Sequence, residues 1–125
     1  MILGSGVDIV EIVRFRKILE RSKERFLQRV FTPEEQEFCL AHHDPAPHFA
    51  VRFAAKEAVF KALGTGWAKG VTWLDVEVQR RDQEAPTIKL HGEAQKLSAL
   101  KGARTIHLSL SHTENWAVAT ALLEQ

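Results

Sequence analysis

The pattern of apolar and polar positions is most regular in the middle of the chain, over residues 51–66. Turned by about 100° per residue, this stretch places a stripe of small and branched side chains on one helical face. The stripe consists of Val51, Ala54, Ala55, Ala58, Val59 and Ala62. No proline interrupts it, and Gly64 follows where a left-handed cap favours glycine. The pattern predicts a helix that lies close to its neighbour, because alanines make the buried face shallow.

Charged side chains border this stripe on both edges. Glu57 and Lys61 are four residues apart on one edge, and Arg52 and Lys56 lie on the other. A carboxylate and an ammonium beside a Gly-Thr-Gly turn at residues 64–66, with free backbone N–H groups, suit a metal ion and a phosphate. A surface ion pair on an amphipathic helix is the alternative, and this stretch alone does not separate the two.

Shorter patterns predict the elements on either side of this helix. Apolar alternation or continuity predicts strands at residues 2–10, 74–79, 105–110 and 116–123, with a short partner strand at Ile88 and Leu90. Helical spacing predicts helices at residues 11–30, with a break near Ser22, at about 33–41, and at 94–102. Loops or turns are predicted at residues 42–48, 67–72, 81–86 and 111–115.

Two local signals sharpen this prediction. Thr32, Pro33 and Glu35 have the spacing of a capping box with proline in the first helical turn. Residues 116–123 are apolar nearly throughout, which is typical of a central strand or one covered on both faces, whereas Glu77 is expected on the exposed face of its strand. The elements together predict an α+β fold, a small, mostly antiparallel sheet packed against helices, in a single domain over residues 1–125.

Composition narrows the class of protein. The chain has 125 residues, a formal net charge of +1 and one cysteine, Cys39, so no internal disulfide is possible. The first residues lack a basic segment and a long apolar run, and no apolar stretch reaches the length of a membrane span. We therefore expect a soluble cytoplasmic protein with no membrane partner.

Positive charge is concentrated in the predicted helix at residues 11–30. This segment has seven Lys and Arg residues against three Glu residues, a local charge of +4. Such a surface can steer and hold an acidic partner. A solvated helix face is the alternative interpretation.

Asp8 and Glu57 form the best candidate pair of carboxylates. Asp8 shares a strand face with Gly4 and Gly6, and aspartate is disfavoured inside strands. If the alanine stripe packs beside this strand, Asp8 and Glu57 meet at one edge, where two carboxylates need a cation or a raised pKa. Oxygen ligands with open positions suit Mg²⁺, and Lys61 would face the same phosphate. These parts are typical of phosphoryl transfer.

The histidines give weaker indications. His112 lies in the predicted turn at residues 111–115 and can either donate to a second phosphate or satisfy its own turn. The segment at residues 42–48 contains three histidines, but no Cys or His pair elsewhere has zinc-site spacing. A zinc site is therefore not expected.

Two motifs about forty residues apart resemble those of the holo-[acyl-carrier-protein] synthases, the short 4′-phosphopantetheinyl transferases. They are Gly-Val-Asp-Ile-Val-Glu at residues 6–11 and Arg-Phe-Ala-Ala-Lys-Glu-Ala-Val-Phe-Lys-Ala-Leu-Gly-Thr-Gly at residues 52–66. Residues 69–78, 90–94 and 109–113 also resemble the family, so the similarity covers essentially the whole chain. Ala85 before Pro86 departs from the Gly-Lys-Pro-like turn that is usual there.

The resemblance implies a fold and a reaction. It implies the 4′-phosphopantetheinyl transferase fold and a role in fatty acid biosynthesis. A serine hydroxyl of apo acyl carrier protein attacks the β-phosphate of coenzyme A, the 4′-phosphopantetheine moves to the serine, and adenosine 3′,5′-bisphosphate leaves. The resemblance further implies a homotrimer with sites between identical subunits, since longer relatives contain two such units in tandem.

The resemblance also assigns residue roles. It implies that Asp8 and Glu57 bind Mg²⁺ and act in catalysis with Lys61. The implied coenzyme A contacts are Arg52, Lys61, Gly64 and His112. The implied contacts to the carrier protein are Arg14 and Arg21. The general base stays open between a water at the metal, Glu57 and Lys61.

Two other functions compete with the transferase. A non-catalytic module that binds coenzyme A or an acidic protein has no need of the acid pair and lysine. A nucleic-acid binder would use the basic helix, but the chain lacks a base-stacking motif and its net charge is low for that class. We therefore expect an enzyme and no nucleic-acid partner.

Overall fold

The computed structural model describes residues 1–64, 70–80 and 83–125. The elements in these ranges are, in chain order, β1 (Ile2–Glu11), α1 (Ile12–Val30), α2 (Pro33–Leu40), α3 (Ala46–Leu63), β2 (Val76–Gln79), β3 (Thr87–Leu90), α4 (Gly92–Leu100), β4 (Thr105–His112) and β5 (Trp116–Glu124). A 3-10 turn, Trp73–Asp75, precedes β2. The predicted α+β class is confirmed. The predicted Thr65–Gly66 part of the phosphate-facing turn lies outside the described residues.

The strands form two small antiparallel sheets. β5 lies between β1 and β4, while β2 and β3 form a separate hairpin. Val7 and Asp8 of β1 pair with Thr120 and Ala119 of β5. The central position predicted for the last strand is confirmed, because β5 is hydrogen-bonded on both edges.

Helix α3 covers one face of the three-stranded sheet at very short range. Gly4 and Gly6 point towards it, and a Cβ atom on either would overlap the carbonyl oxygen of Ala62 or Ala58. The alanines that face the sheet from α3 and β5 are fully buried and form the core with Leu63 and Leu123. Small side chains on both surfaces therefore let the helix and sheet approach closely, as the alanine stripe predicted.

Two local helix signals behave as predicted. Ser22 has non-helical dihedral angles, φ −145° and ψ 40°, and kinks α1 at the predicted break. Thr32 accepts from the backbone N–H of Glu35 while the Glu35 carboxylate accepts from the Thr32 backbone N–H, which completes the capping box. No helix in the described part of the chain is long and apolar enough to cross a membrane.

Three predicted boundaries or exposures are wrong. Helix α3 begins at Ala46 and so includes His48, because Pro45 and Pro47 sit at its start, where no intrahelical N–H bond is lost. His112 ends β4 and pairs with Ala117, so it does not lie in the predicted turn. Glu77 is only 6% exposed, because the hairpin packs against α2 and α3.

The second face of the three-stranded sheet is uncovered. Val7 and Ile9 of β1 are 55% and 61% exposed, and Trp116 and Leu122 of β5 are 47% and 39% exposed. Large apolar side chains thus line an open sheet surface on the side away from α3.

Substitution of Gly6 by alanine tests the contact between β1 and α3. The added methyl group would overlap backbone atoms of α3, so we expect the free energy of unfolding to fall by about 1–3 kcal/mol. Urea unfolding measures this change. Ser5→Ala, on the exposed face of the same strand, is the control and should stay within about 0.5 kcal/mol of the parent. Equal stability of the two variants would contradict the close packing.

Candidate active site

The structure brings Asp8 and Glu57 to one cavity. Asp8 is the next inward position of β1 after Gly4 and Gly6, and Glu57 lies on α3, which those glycines contact. Both acids line a cavity of about 420 Å³ together with residues of β1 and α1. Residues 49 positions apart in sequence therefore share one site, as the strand and helix pattern predicted.

Lys61 completes this group one helical turn after Glu57. Its ammonium donates to the Val7 carbonyl oxygen at 2.8 Å and to Asp8 Oδ1 at 3.1 Å. The Lys61 side chain is 53% exposed and that of Asp8 is 19% exposed. A lysine that is anchored at a carboxylate but still open to solvent can reach a bound anion.

In addition to burial, the charges of Asp8 and Lys61 shift the pKa of Glu57, and they do so in opposite directions. Burial raises the pKa of Glu57, the nearby Asp8 carboxylate raises it further, and Lys61 partly offsets both effects. The site thus contains more negative charge than Lys61 neutralises. Two oxygen donors with an uncompensated charge and an open cavity fit a hard divalent cation such as Mg²⁺.

The basic surface of α1 adjoins the same cavity. Arg14 lines it together with Glu57. Arg14 also lines a neighbouring surface depression of about 380 Å³ with Lys17 and Arg21. The two arginines assigned by resemblance to the carrier protein therefore lie on one exposed surface that leads into the candidate site.

Arg52 lies elsewhere and is almost fully buried, at 2% exposure. Its Nη1 donates to the His48 carbonyl oxygen at 3.2 Å, and its guanidinium carbon lies 4.2 Å from the centre of the Phe38 ring. Its Nη2 is the one buried side-chain nitrogen or oxygen in residues 1–64, 70–80 and 83–125 without a hydrogen-bond partner. Arg52 also lines a cavity of about 210 Å³ between α2 and β2. Arg52 therefore lies at the edge of the alanine stripe, as predicted, but on a side of α3 that other elements cover.

His112 lies near His48, the residue whose carbonyl oxygen accepts a hydrogen bond from Arg52. The His112 ring lies 5.8 Å from the His48 ring, which stacks on His42 at 3.6 Å between ring centres. Burial and the positive charges of His42, Arg52 and His112 lower the pKa of His48 to about 4. His48 is therefore neutral at pH 7, and Arg52 is the fixed positive charge of this cluster.

The predicted coenzyme A residues thus fall into two places within one chain. Lys61 and Gly64 lie near the C-terminal end of α3, where Gly64 has the left-handed conformation, φ 78°, that the pattern predicted. Arg52 lies about 140° around the helix from Glu57. Asp8 and Glu57 do not line the cavity beside Arg52.

The structure contains a buried ion pair that the sequence pattern did not predict. Lys56 and Glu35 have no exposed side-chain surface and lie 2.8 Å apart. The sequence places Lys56 at a stripe edge and Glu35 in a capping box, and neither signal indicates that the two side chains meet. The position of Lys56 at the edge of the alanine stripe was the available sign of its burial.

The chain belongs to the 4′-phosphopantetheinyl transferase superfamily, whose family model matches residues 4–121. Its relatives include a holo-[acyl-carrier-protein] synthase from Koribacter versatilis, which is 48% identical over 124 residues and 99% of both chains. Another, from Syntrophotalea carbinolica, is 51% identical over 97% of this chain and 94% of its own. The family assigned by resemblance is therefore confirmed.

Solved structures confirm the fold. The crystal structure of the Neisseria meningitidis synthase has a TM-score of 0.91 and 30% identity, with both chains fully covered. The Helicobacter pylori synthase, solved in complex with coenzyme A, has a TM-score of 0.84 and 32% identity over 96% of this chain and 99% of its own.

Replacing Glu57 with glutamine should stabilise the protein at neutral pH. Folding raises the pKa of the Glu57 carboxyl. The free energy of unfolding therefore falls as the pH rises from the unfolded-state pKa through the folded-state pKa, because the unfolded state releases its proton at the lower pH. Glu57→Gln removes this cost, so its free energy of unfolding should exceed that of the parent at pH 7. The difference should shrink as the pH falls below the ordinary value of 4.5. Urea unfolding across pH measures it.

The exposed Glu114→Gln substitution is the matched control for charge removal. It should leave stability within about 0.5 kcal/mol of the parent at each pH. A Glu57→Gln protein that is less stable than the parent at pH 7 would contradict the unfavourable environment of Glu57.

Proposed function

We propose that this chain transfers the 4′-phosphopantetheine group of coenzyme A to a serine of apo acyl carrier protein, with Mg²⁺, and releases adenosine 3′,5′-bisphosphate. The observation that carries the proposal is the convergence of Asp8 and Glu57 at one cavity, with the Lys61 ammonium bonded to Asp8, in a member of this superfamily. A role in fatty acid biosynthesis follows from the same proposal.

Asp8 and Glu57 would hold the metal, since both line the cavity, as Glu11 also does, and the Lys61 ammonium bonds to the Asp8 carboxylate. Bound Mg²⁺ would neutralise charge on the pyrophosphate and ease the departure of the leaving group. Lys61 has three donors and, among the described residues, two hydrogen-bond acceptors, Asp8 and the Val7 carbonyl oxygen. Its ammonium therefore still has a proton to offer a phosphate oxygen, where it would stabilise negative charge.

The carrier protein would approach over α1. Arg14 and Arg21 lie on the exposed surface that adjoins the cavity, so an acidic partner docked there places its serine near Asp8 and Glu57. A non-catalytic binding module would not need these carboxylates. The relatives named as synthases further support the catalytic alternative.

Arg52, Gly64 and His112 are proposed as the remaining coenzyme A contacts. Arg52 supports this role through its unpaired Nη2, and His112 through its place in the histidine cluster beside it. Arg52 and Glu57 face different sides of α3 and line two different cavities.

We further propose that the protein is a homotrimer whose sites form between subunits. The open apolar face of the β1–β5–β4 sheet supports this assembly, since large exposed apolar surfaces mark interaction sites. We also propose that residues 1–125 form a single domain. We propose a cytoplasmic location as well, because a free thiol such as that of Cys39 is typical of a reducing compartment.

Incubation with apo acyl carrier protein, coenzyme A and Mg²⁺ tests the function. Intact mass spectrometry should detect the added phosphopantetheine, and Asp8→Ala or Glu57→Ala should lower kcat/KM by at least about 10³-fold because the metal site is lost. Circular dichroism checks that each variant is folded. The exposed Glu114→Gln variant should retain parent activity. Activity of either alanine variant within a few-fold of the parent would contradict the metal assignment.

A charged residue on the open sheet face tests the assembly. Leu122→Glu should convert the trimer to monomers, because a carboxylate would be buried in the interface. Light scattering coupled to size-exclusion chromatography measures the mass. Leu100→Glu, on α4 and 85% exposed, is the control and should leave the mass unchanged. A monomeric parent protein would refute the trimer.

A further inference from the structure

The Lys56–Glu35 ion pair is buried between α2, α3 and β2. Lys56 Nζ lies 2.8 Å from Glu35 Oε1, and it also donates to the backbone carbonyl oxygens of Val76 at 2.5 Å and Trp73 at 3.2 Å. All three ammonium protons therefore have acceptors. Because desolvation offsets most of the attraction in such a pair, its presence is weak evidence of a stabilising role alone.

The Glu35 carboxylate connects three elements. Oε1 accepts from the Thr32 backbone N–H at 2.8 Å, at the start of α2, and from Lys56 on α3. Oε2 accepts from the backbone N–H of Val78 at 2.9 Å, in β2. A second link runs beside it, because the Thr32 hydroxyl donates to Glu77 Oε2 at 3.1 Å.

The elements joined in this way are the walls of the cavity beside Arg52. Its lining comes from α2, α3 and β2 and consists of Glu34, Phe38, Arg52, Glu77, Val78, Gln79 and Arg80. Glu35 follows a lining residue of one wall and bonds directly to Val78 of the other. Lys56 lies one helical turn after Arg52 on α3. The ion pair therefore sets how far apart the walls stand.

Arg52 depends on this separation because it has little freedom of its own. Nη1 is bonded to His48, and the guanidinium lies over the Phe38 ring, so the direction of Nη2 is determined by its surroundings. A movement of about 1 Å in a wall is enough to spoil a charge-assisted hydrogen bond to an anion.

We propose that Lys56 and Glu35 are positioning residues that hold β2 against α2 and α3 at the width at which Arg52 binds an anionic group of coenzyme A. This inference rests on the proposed function, in which Arg52 contacts coenzyme A. Neither member of the pair has exposed side-chain surface, so both act through Arg52 and not by touching the substrate.

The double variant Glu35→Gln/Lys56→Met tests the inference, because it removes both charges and keeps similar volumes. The Kd for coenzyme A by calorimetry and the KM for coenzyme A should rise about tenfold, while kcat at saturating coenzyme A changes less than about twofold. A purely structural pair would lower the unfolding temperature and leave Kd and KM unchanged, and that result would overturn the inference.

Two further variants keep the test decisive. Glu35→Asp retains the charge but is too short to reach both Lys56 and the Val78 N–H, so it should fold and still raise the KM several-fold. It decides the question if the double variant does not fold. Glu93→Gln/Lys96→Met removes an exposed ion pair on α4 and is the matched control, with no expected change in Kd or KM.

Arg52→Gln separates failure of this inference from failure of the proposed function. It should raise the KM as the double variant does, and adding it to the double variant should give little further effect. If Arg52→Gln raises the KM but Glu35→Asp and the double variant do not, the positioning role is wrong and the transferase stands. A parent protein without transfer activity refutes the function, while the calorimetric Kd still tests the pair.

Discussion

The contact between the backbone of β1 and the carbonyl oxygens of α3 is the constraint on which the rest of the structure depends. Gly4 and Gly6 leave no space for a side chain there, so strand and helix lie unusually close. The next inward residue, Asp8, then reaches the edge of the helix beside Glu57 and Lys61. The geometry of the candidate site therefore follows from backbone packing between two regular elements, which is a rigid way to hold opposing charges.

Helix α3 also separates two groups of charged residues. One side presents Glu57 to the cavity at β1 and bonds Lys61 to the β1 backbone, and the other side presents Arg52 to the cavity at β2. Both groups are held without full local compensation: Glu57 has a raised pKa, and Arg52 has an unpaired nitrogen. Groups that are held without full compensation lower the stability of a fold, and they are typical of functional sites.

Much of this arrangement is predictable where it depends on neighbours in sequence. The 3.6-residue period predicts α3, the Thr32–Glu35 spacing predicts the capping box of α2, and Gly64 predicts the left-handed cap of α3. The Asp8 and Glu57 pairing is predictable from a strand face and a helix face that must pack together. The start of α3 was missed because two prolines suggest a loop, although the first helical turn tolerates them.

Local spacing specified the elements, their caps and the angular position of each charge on its helix, because all of these depend on residues a few positions apart. Only the tertiary structure decided which charges are buried. Lys56 and Arg52 lie at equivalent stripe edges, yet one meets Glu35 and the other faces a cavity. The partner across an element comes from a distant part of the chain, and periodicity contains no information about what lies there.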